Sequence, residues 1–215
     1  MKSFPVFLVL AFVMTFCGLE NRFLPTNSTT TNTQQNSTSG VPAVGGGDTN
    51  IEYEKPQPTA AQTAILERAK DIAWDAQGLK WRVPANWRKM TEERNLFNWG
   101  SSDNAFLIVT ISPMAADFPV EQSTKAFYDG AVTRKKNGEV ESVRYLEIDG
   151  VKGIEFVEAV GDGKDSPRRQ QWIAYRKYAG QTQMLNLMVS TKSANFDKHR
   201  DDFAAILYST KIVHE

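Results

Sequence analysis

Residues 140–160, VESVRYLEIDGVKGIEFVEAV, hold two runs rich in β-branched and aromatic residues on either side of Asp149-Gly150. An Asp-Gly pair between such runs is a strong signal for a two-residue hairpin. Both central positions of a type I′ turn need positive φ, which Gly takes freely and Asp tolerates. The spacing therefore predicts strands over 140–148 and 151–160, with Ile154, Phe156 and Val160 on one face. Downstream, 168–178 and 181–191 form a second hairpin around Ala179-Gly180, and Leu185, Leu187 and Val189 alternate along its second strand. Ser193 is placed to cap a closing helix that carries Phe196, Phe203, Ile206 and Leu207 on one stripe. A last short strand is expected over 210–213.

Working upstream, 120–136 reads as a helix with Glu121 in its first turn and Arg134, Lys135 and Lys136 in its last. These are the charges that the helix dipole favours at each end, and Asn137-Gly138 supplies the stop. Strands are expected at 95–99 and 105–112, separated by the turn-rich Gly100-Ser-Ser-Asp-Asn104. Another at 79–83 is ended by Pro84, which has no ladder donor. Thr59 and Gln62 fit a capping box, and Ile65, Leu66, Ala69 and Ile72 sit at helical spacing, so a helix is expected over 59–72. Trp74 fits either that helix or a first strand. This order predicts an α+β domain over 58–215, an antiparallel sheet flanked by helices, large enough to bury roughly two-thirds of its unfolded surface.

The chain has 215 residues, with 25 Lys+Arg against 25 Asp+Glu, so its formal net charge is zero. A nucleic-acid binder would normally carry a basic surplus, so no nucleic-acid partner is expected. A single cysteine rules out an intrachain disulfide and a cysteine-based zinc site, and two histidines argue against a histidine-rich metal centre.

Residues 1–17 read as an export signal: Met-Lys, an apolar run from Phe4 to Phe16, then Cys17. From Phe4 to Leu19 a helix would reach about 24 Å, short of a hydrocarbon core of roughly 30 Å. Cys17 ends the hydrophobic stretch just before Gly18 and a polar tract. This resembles a bacterial lipoprotein lipobox, in which the cysteine is lipidated and becomes the mature N-terminus. Met14-Thr15-Phe16 departs from that family's preference for Leu, a small residue, then Gly, Ala or Ser. The expectation is a lipid, palmitate included, on Cys17, with the chain anchored in the cell envelope and facing the periplasm or exterior.

Residues 18–57 are expected to be a disordered tether. From Pro25 to Asn50 the tract is dominated by Thr, Asn, Ser, Gln and Gly, with Asp48 its one charge, and it cannot bury enough apolar surface to offset chain entropy. Residues 18–57 would span roughly 35 Å as a random coil. Asn27-Ser-Thr and Asn36-Ser-Thr match the glycosylation sequon, but such matches arise by chance in this composition.

The segment 78–87, GLKWRVPANW, resembles the opening of PsbP-like domains: a glycine, an aromatic-bearing strand, then Pro-x-x-Trp. The acidic helix start after Pro119, the Asp149-Gly150 hairpin, the long paired strands and the closing helix with Ser209-Thr210-Lys211 follow in the same order, over about residues 72–213. The resemblance implies an α/β/α sandwich and a non-enzymatic, partner-binding role. Members include a photosystem II accessory subunit and a Ran-binding nuclear import factor, and many bacterial members are lipoproteins. It carries over no site residue.

Motifs for chemistry are sparse. Ser102-Asp103-Asn104 matches one element of the penicillin-binding signature, but Ser-x-x-Lys and Lys-Thr-Gly do not occur, so it reads as a turn. Asp162-Gly-Lys-Asp165 has the look of a calcium loop without its alternating ligands or terminal Glu. His199, between Phe196 and Phe203, reads as a packed or hydrogen-bonded flank residue, and His214 as part of the tail. No catalytic, cofactor or metal residues are expected. Arg168, Arg169 and Trp172 form the tentative partner surface. The five tryptophans read chiefly as core, an exposed pair being the first candidate for a contact surface. The leading expectation is a non-catalytic envelope lipoprotein that binds a protein partner. The alternatives are a carrier of a lipid or other apolar ligand, and an enzyme with an unrecognised site.

Overall fold

A computed structural model of the chain describes residues 51–161 and 163–214. In chain order the elements are α1 (Ala60–Glu67), β1 (Lys70–Trp74), β2 (Leu79–Val83), β3 (Arg88–Glu92), β4 (Leu96–Gly100), β5 (Phe106–Pro113) and α2 (Val120–Lys136). They continue with β6 (Val140–Ile148), β7 (Val151–Glu158), β8 (Pro167–Tyr178), β9 (Gln181–Lys192), α3 (Ser193–Tyr208) and β10 (Lys211–Ile212). Seven strands form one antiparallel sheet in the order β3-β4-β5-β9-β8-β7-β6, and three form a second in the order β1-β2-β10. The α+β class is as expected.

The Asp149-Gly150 turn has φ of 50° and 83°, and Ala179-Gly180 repeats the pattern at 50° and 75°. Each turn sets the register of a long hairpin, Ile148 opposite Val151 in one and Tyr178 opposite Gln181 in the other. Asp149 also reaches the end of the chain, its carboxylate accepting from Ile212 N at 2.8 Å and Lys211 Nζ at 2.9 Å. One face of the large sheet packs on the small sheet and α3. There Trp74, Trp81, Phe97, Leu107, Leu187, Phe196, Phe203 and their neighbours form the main core. Trp74 and Trp81 stack on Phe97 at 5.4 and 5.2 Å between centroids. Four of the five tryptophans are almost fully buried and Trp99 partly so, which is the core role expected of them.

Several local expectations are corrected. The capping box forms, Gln62 N donating to Thr59 Oγ1 and Thr59 N to Gln62 Oε1, but α1 stops at Glu67. Lys70–Trp74 is a strand, with Ile72 opposite Trp81 and Trp74 opposite Leu79. The apparent stripe from Ile65 to Ile72 thus straddles two elements. Ser193 is the first helical residue of α3 rather than its cap, and its hydroxyl is buried without a partner. Val160 lies past the end of β7 and is 69% exposed, so it does not share the face of Ile154 and Phe156. Strand β3 was not anticipated.

Residues 51–57 do not behave as tether. Glu54 N donates to Tyr145 O at 3.1 Å and Glu147 N to Glu54 O at 2.8 Å, one parallel bridge on the outer edge of β6. Arg144 pairs with Glu54 at 2.8 Å, and Tyr53 meets the Tyr145 ring edge-on at 5.2 Å. An edge strand has outward N–H and C=O groups to satisfy, and this short arm supplies partners for two of them. The export signal, Cys17 and the tether up to residue 50 lie outside the described residues, as does Asp162 of the calcium-like loop.

Candidate partner-binding face

The second face of the large sheet is covered over only part of its width. Helix α2 lies over β6, β7 and β8, where Ala131 and Tyr128 pack with Ile154, Phe156, Ile173 and Tyr145. The Tyr128 and Tyr145 rings stack at 4.1 Å, and the Ser123 and Tyr175 hydroxyls share a hydrogen bond of 2.6 Å. Burial raises the Tyr145 phenol to about 12, with Asp129 adding to the shift. At the helix end Arg134 sits 5.5 Å over the Phe156 ring and 3.6 Å from Glu158.

Beyond β8 this face is open. Phe106, Ile108 and Thr110 of β5, Leu96 and Asn98 of β4, and Asn186 and Met188 of β9 are only partly buried. The side chains that alternate with them, Leu107, Val109, Phe97 and Leu187, are at 0% exposure against the core. Period-two geometry puts each set on its own face. Ile108 stands opposite both Met188 and Asn98, and Phe106 opposite Gly100. A Cβ on Gly100 would lie 2.8 Å from Met90 Sδ and 3.0 Å from the Phe106 ring, so Met90 folds across the glycine onto Phe106. Met90 remains 51% exposed, and Phe127 on α2 is 38% exposed. The result is a mixed floor in which Leu96, Phe106, Ile108 and Met188 are interspersed with Asn98, Thr110, Asn186 and Gln171, whose Nε2 donates to Asn186 Oδ1 at 2.7 Å. Strand β3 borders it as a short edge with a bulge between Lys89 and Thr91 and several charged residues, a device that discourages a further strand from adding there.

The tentative partner surface is corrected in two of its three members. Trp172 is at 0% exposure and donates from Nε1 to Leu146 O at 3.1 Å. Arg168, at 3%, donates to Glu158 O at 2.9 Å and Asp197 Oδ1 at 3.2 Å, also contacts Glu141, and stacks 4.4 Å over Phe196. The reason is strand phase. Trp172 is opposite Leu187 and Ala174 opposite Leu185, so the even positions of β8 face the core. Arg169 is an odd position, opposite Ser190, and reaches the open face with a 3.2 Å pair to Glu158.

His199 is packed and hydrogen-bonded, as its spacing suggested. Its Nε2 lies 3.0 Å from Asp103 Oδ2 and its Nδ1 3.2 Å from Asp202 Oδ2. The Ser101 hydroxyl donates to Asp103 at 2.5 Å. Asp103 therefore stands between serine and histidine, and no base is held on the hydroxyl in the order that nucleophile activation requires. The Ser101 hydroxyl, with Lys198 and His199 beside it, holds the Asp103 carboxyl far below the usual range. Glu141 and Asp197 are lowered by Arg200 foremost, and Asp149 is lowered by Lys211 and Ile212 N against a larger opposing effect of burial. Carboxyls depressed in the folded state stabilise it above their unfolded values of about 4 and lose that contribution as pH falls below them. The urea midpoint should accordingly be flat from about pH 7 to 5 and decline below about pH 4. Asp103→Asn should be less stable at neutral pH and show a shallower acid decline, and a parallel pH profile would contradict this assignment.

Among the described residues no group of three His, Cys, Asp or Glu side chains is arranged to hold a metal ion, and no helix is long and apolar enough to cross a membrane.

No protein-family model matches the chain, and no curated protein matches it significantly. Solved structures do. LpqN of Mycobacterium tuberculosis, a protein involved in cell envelope biogenesis, is 14% identical over 66% of this chain and 84% of that one, with a TM-score of 0.50. The cyanobacterial PsbP of Synechocystis is 14% identical over 68% of this chain and 94% of that one, with a TM-score of 0.44. A structure from Bacteroides thetaiotaomicron is 10% identical over 69% of this chain, which spans only 50% of that chain's length, with a TM-score of 0.44. At these identities the likeness is one of fold. The α+β arrangement is shared with LpqN.

Proposed function

We propose that this chain is an exported envelope protein, held at a membrane by lipid on Cys17, whose domain is a non-catalytic module that docks a protein partner on the open half of its large sheet. The observation that supports the reading is the contrast across β4, β5 and β9. One side of each strand is sealed in the core, while the other presents Phe106, Ile108 and Met188 partly exposed. Contiguous apolar surface on a soluble domain commonly marks an interaction site. The fold shared with LpqN, a protein of cell envelope biogenesis, agrees with an envelope setting. The export signal and lipobox-like Cys17 supply the address.

Two measurements test this proposal. Mass spectrometry of the N-terminal peptide should find Cys17 acylated, and an unmodified Cys17 in a mature chain cut elsewhere removes the anchor. The single variant Ile108→Asp should lose no more than about 1 kcal/mol of unfolding free energy in urea, since that side chain is only partly buried. It should nevertheless lose the species crosslinked to the wild type in native membranes. Unchanged crosslinking would remove the docking face.

A further inference from the structure

We propose that residues 51–55 are a displaceable strap over a self-association edge. Once they leave β6, two copies pair there antiparallel, about a two-fold axis at Tyr145. The large sheet has two edges, β3 and β6. Strand β3 is five residues long, bulged and charged, and so discourages pairing by its own make-up. Strand β6 is nine residues long, and its register with β7 shifts only between Val140 and Ser142. The strap covers its other end. Tyr145 O accepts from Glu54 N and Glu147 N donates to Glu54 O, so the odd-numbered residues of this stretch turn their backbone groups outward. Between the register shift and the bridged residues only Ser142, Val143 and Arg144 are left, at the lower limit of about three residues for a strand. With the strap gone, the regular edge runs from Ser142 to Ile148. The strap is also short by construction. A parallel bridge would continue from the N–H of residue 56 to Glu147 O, and Pro56 has no N–H to give.

The contacts of the strap indicate what takes its place. Tyr53 meets the Tyr145 ring edge-on at 5.2 Å, Glu54 pairs with Arg144 at 2.8 Å and Lys55 lies 3.5 Å from Glu147. A two-fold axis at Tyr145 opposes that residue to itself and Val143 to Glu147. Odd positions then meet odd positions, and the outward N–H and C=O groups of all three residues find partners. Tyr145 of the second copy supplies the cross-strand aromatic contact that Tyr53 makes in the strap. Arg144 gives up Glu54 but keeps Glu155 at 2.7 Å. An axis two residues earlier would draw in the irregular Glu141, and one two residues later would set Tyr145 against the Asp149 turn. Pairing of β6 with β3 of another copy would give an open chain of molecules, which the bulge in β3 opposes.

The experiment uses the full chain in detergent. Glu54→Pro removes the backbone donor of the strap, and a second variant, Tyr53→Ala, Lys55→Glu, removes its ring contact and sets like charge against Glu147. All three positions lie outside the core clusters, so both variants should keep the wild-type circular dichroism. Sedimentation should show both variants dimerising at least tenfold more tightly than the wild type. Photo-oxidative tyrosine coupling should join the Tyr145 peptide to itself, a product that forms only between copies, with at least tenfold higher yield in the variants. Variants that sediment like the wild type overturn the proposal. Dimers without the coupled Tyr145 peptide overturn the β6 edge, and equal coupling in the wild type overturns the strap. Assemblies larger than a dimer overturn the closed two-fold pair.

Discussion

Gly153→Val is expected to destabilise the domain by more than about 3 kcal/mol, beyond the usual 1–3 kcal/mol of an overpacked core. Gly153 lies on β7 opposite Ala174, on the core-facing side of the large sheet. A Cβ added there would meet Ile173 O at 2.4 Å, Ala174 Cβ at 2.8 Å and Trp172 Nε1 at 2.9 Å. The first contact decides the outcome, because a carbonyl oxygen on the neighbouring strand cannot retreat without disturbing the β7–β8 ladder. Valine adds two further methyls to the same space. Against a total stability of typically 5–15 kcal/mol, the variant should be unfolded or close to it in mild urea. Gly153→Ala should show a smaller loss in the same direction. A change below about 1 kcal/mol for valine would mean that β7 and β8 are not packed this closely.

Trp172→Ala should cost about 3–5 kcal/mol, the range for deleting a large aromatic from a core. The ring is fully buried, and its Nε1 donates to Leu146 O, tying β8 to β6 across β7. Gly153 and Trp172 form one device: the absent side chain on β7 makes room for the indole that spans it. Trp172→Phe retains most of the packing and removes one donor from Leu146 O, which keeps its ladder partner opposite Gly153, so it should cost about 0.5–1.5 kcal/mol. Urea midpoints of both variants check the sequence of effects. If alanine and phenylalanine cost the same, the hydrogen bond rather than the packing dominates. A wild-type midpoint for alanine would contradict the burial of this side chain.

Much of the fold was legible because its long elements state their period plainly. Leu185, Leu187 and Val189 alternate, and the two hairpins carry Gly at the turn positions that need positive φ, so register followed from local chemistry. Helix α2 declared both ends through Glu121 and Arg134-Lys135-Lys136, and its observed span, Val120–Lys136, is the expected one. What was not legible lacked a burial signal. Strand β3 is Arg-Lys-Met-Thr-Glu, an exposed edge with no alternation to detect, and the arm around Glu54 is fixed by backbone bonds that any residue type can make. At α1 and β1 the two periods overlapped, so Ile72 counted equally well as helix face or strand face.

The candidate face was only partly accessible to sequence reasoning. Arg168, Arg169 and Trp172 were grouped by adjacency, whereas strand geometry sends neighbours to opposite sides. Placing Trp172 in phase with core-facing Leu187 would have separated Arg169 from the other two. Phe106, Ile108 and Met188 could not be singled out in the same way. Both sides of β5 carry apolar residues, and which side α2 leaves uncovered is a tertiary fact.

Methionine oxidation tests the docking face most directly, because the side chains concerned report their own accessibility. The full chain would be treated with dilute peroxide in native envelopes and again after purification in detergent, and sulfoxide formation followed by peptide mass. Met90 and Met188 lie on the open half, while Met184, packed in the cluster under α2, serves as the internal reference. Met90 and Met188 should oxidise at least several-fold more slowly in the envelope than after purification, with Met184 unchanged. Equal rates for Met90 and Met188 in the two states would contradict the presence of a partner on this face.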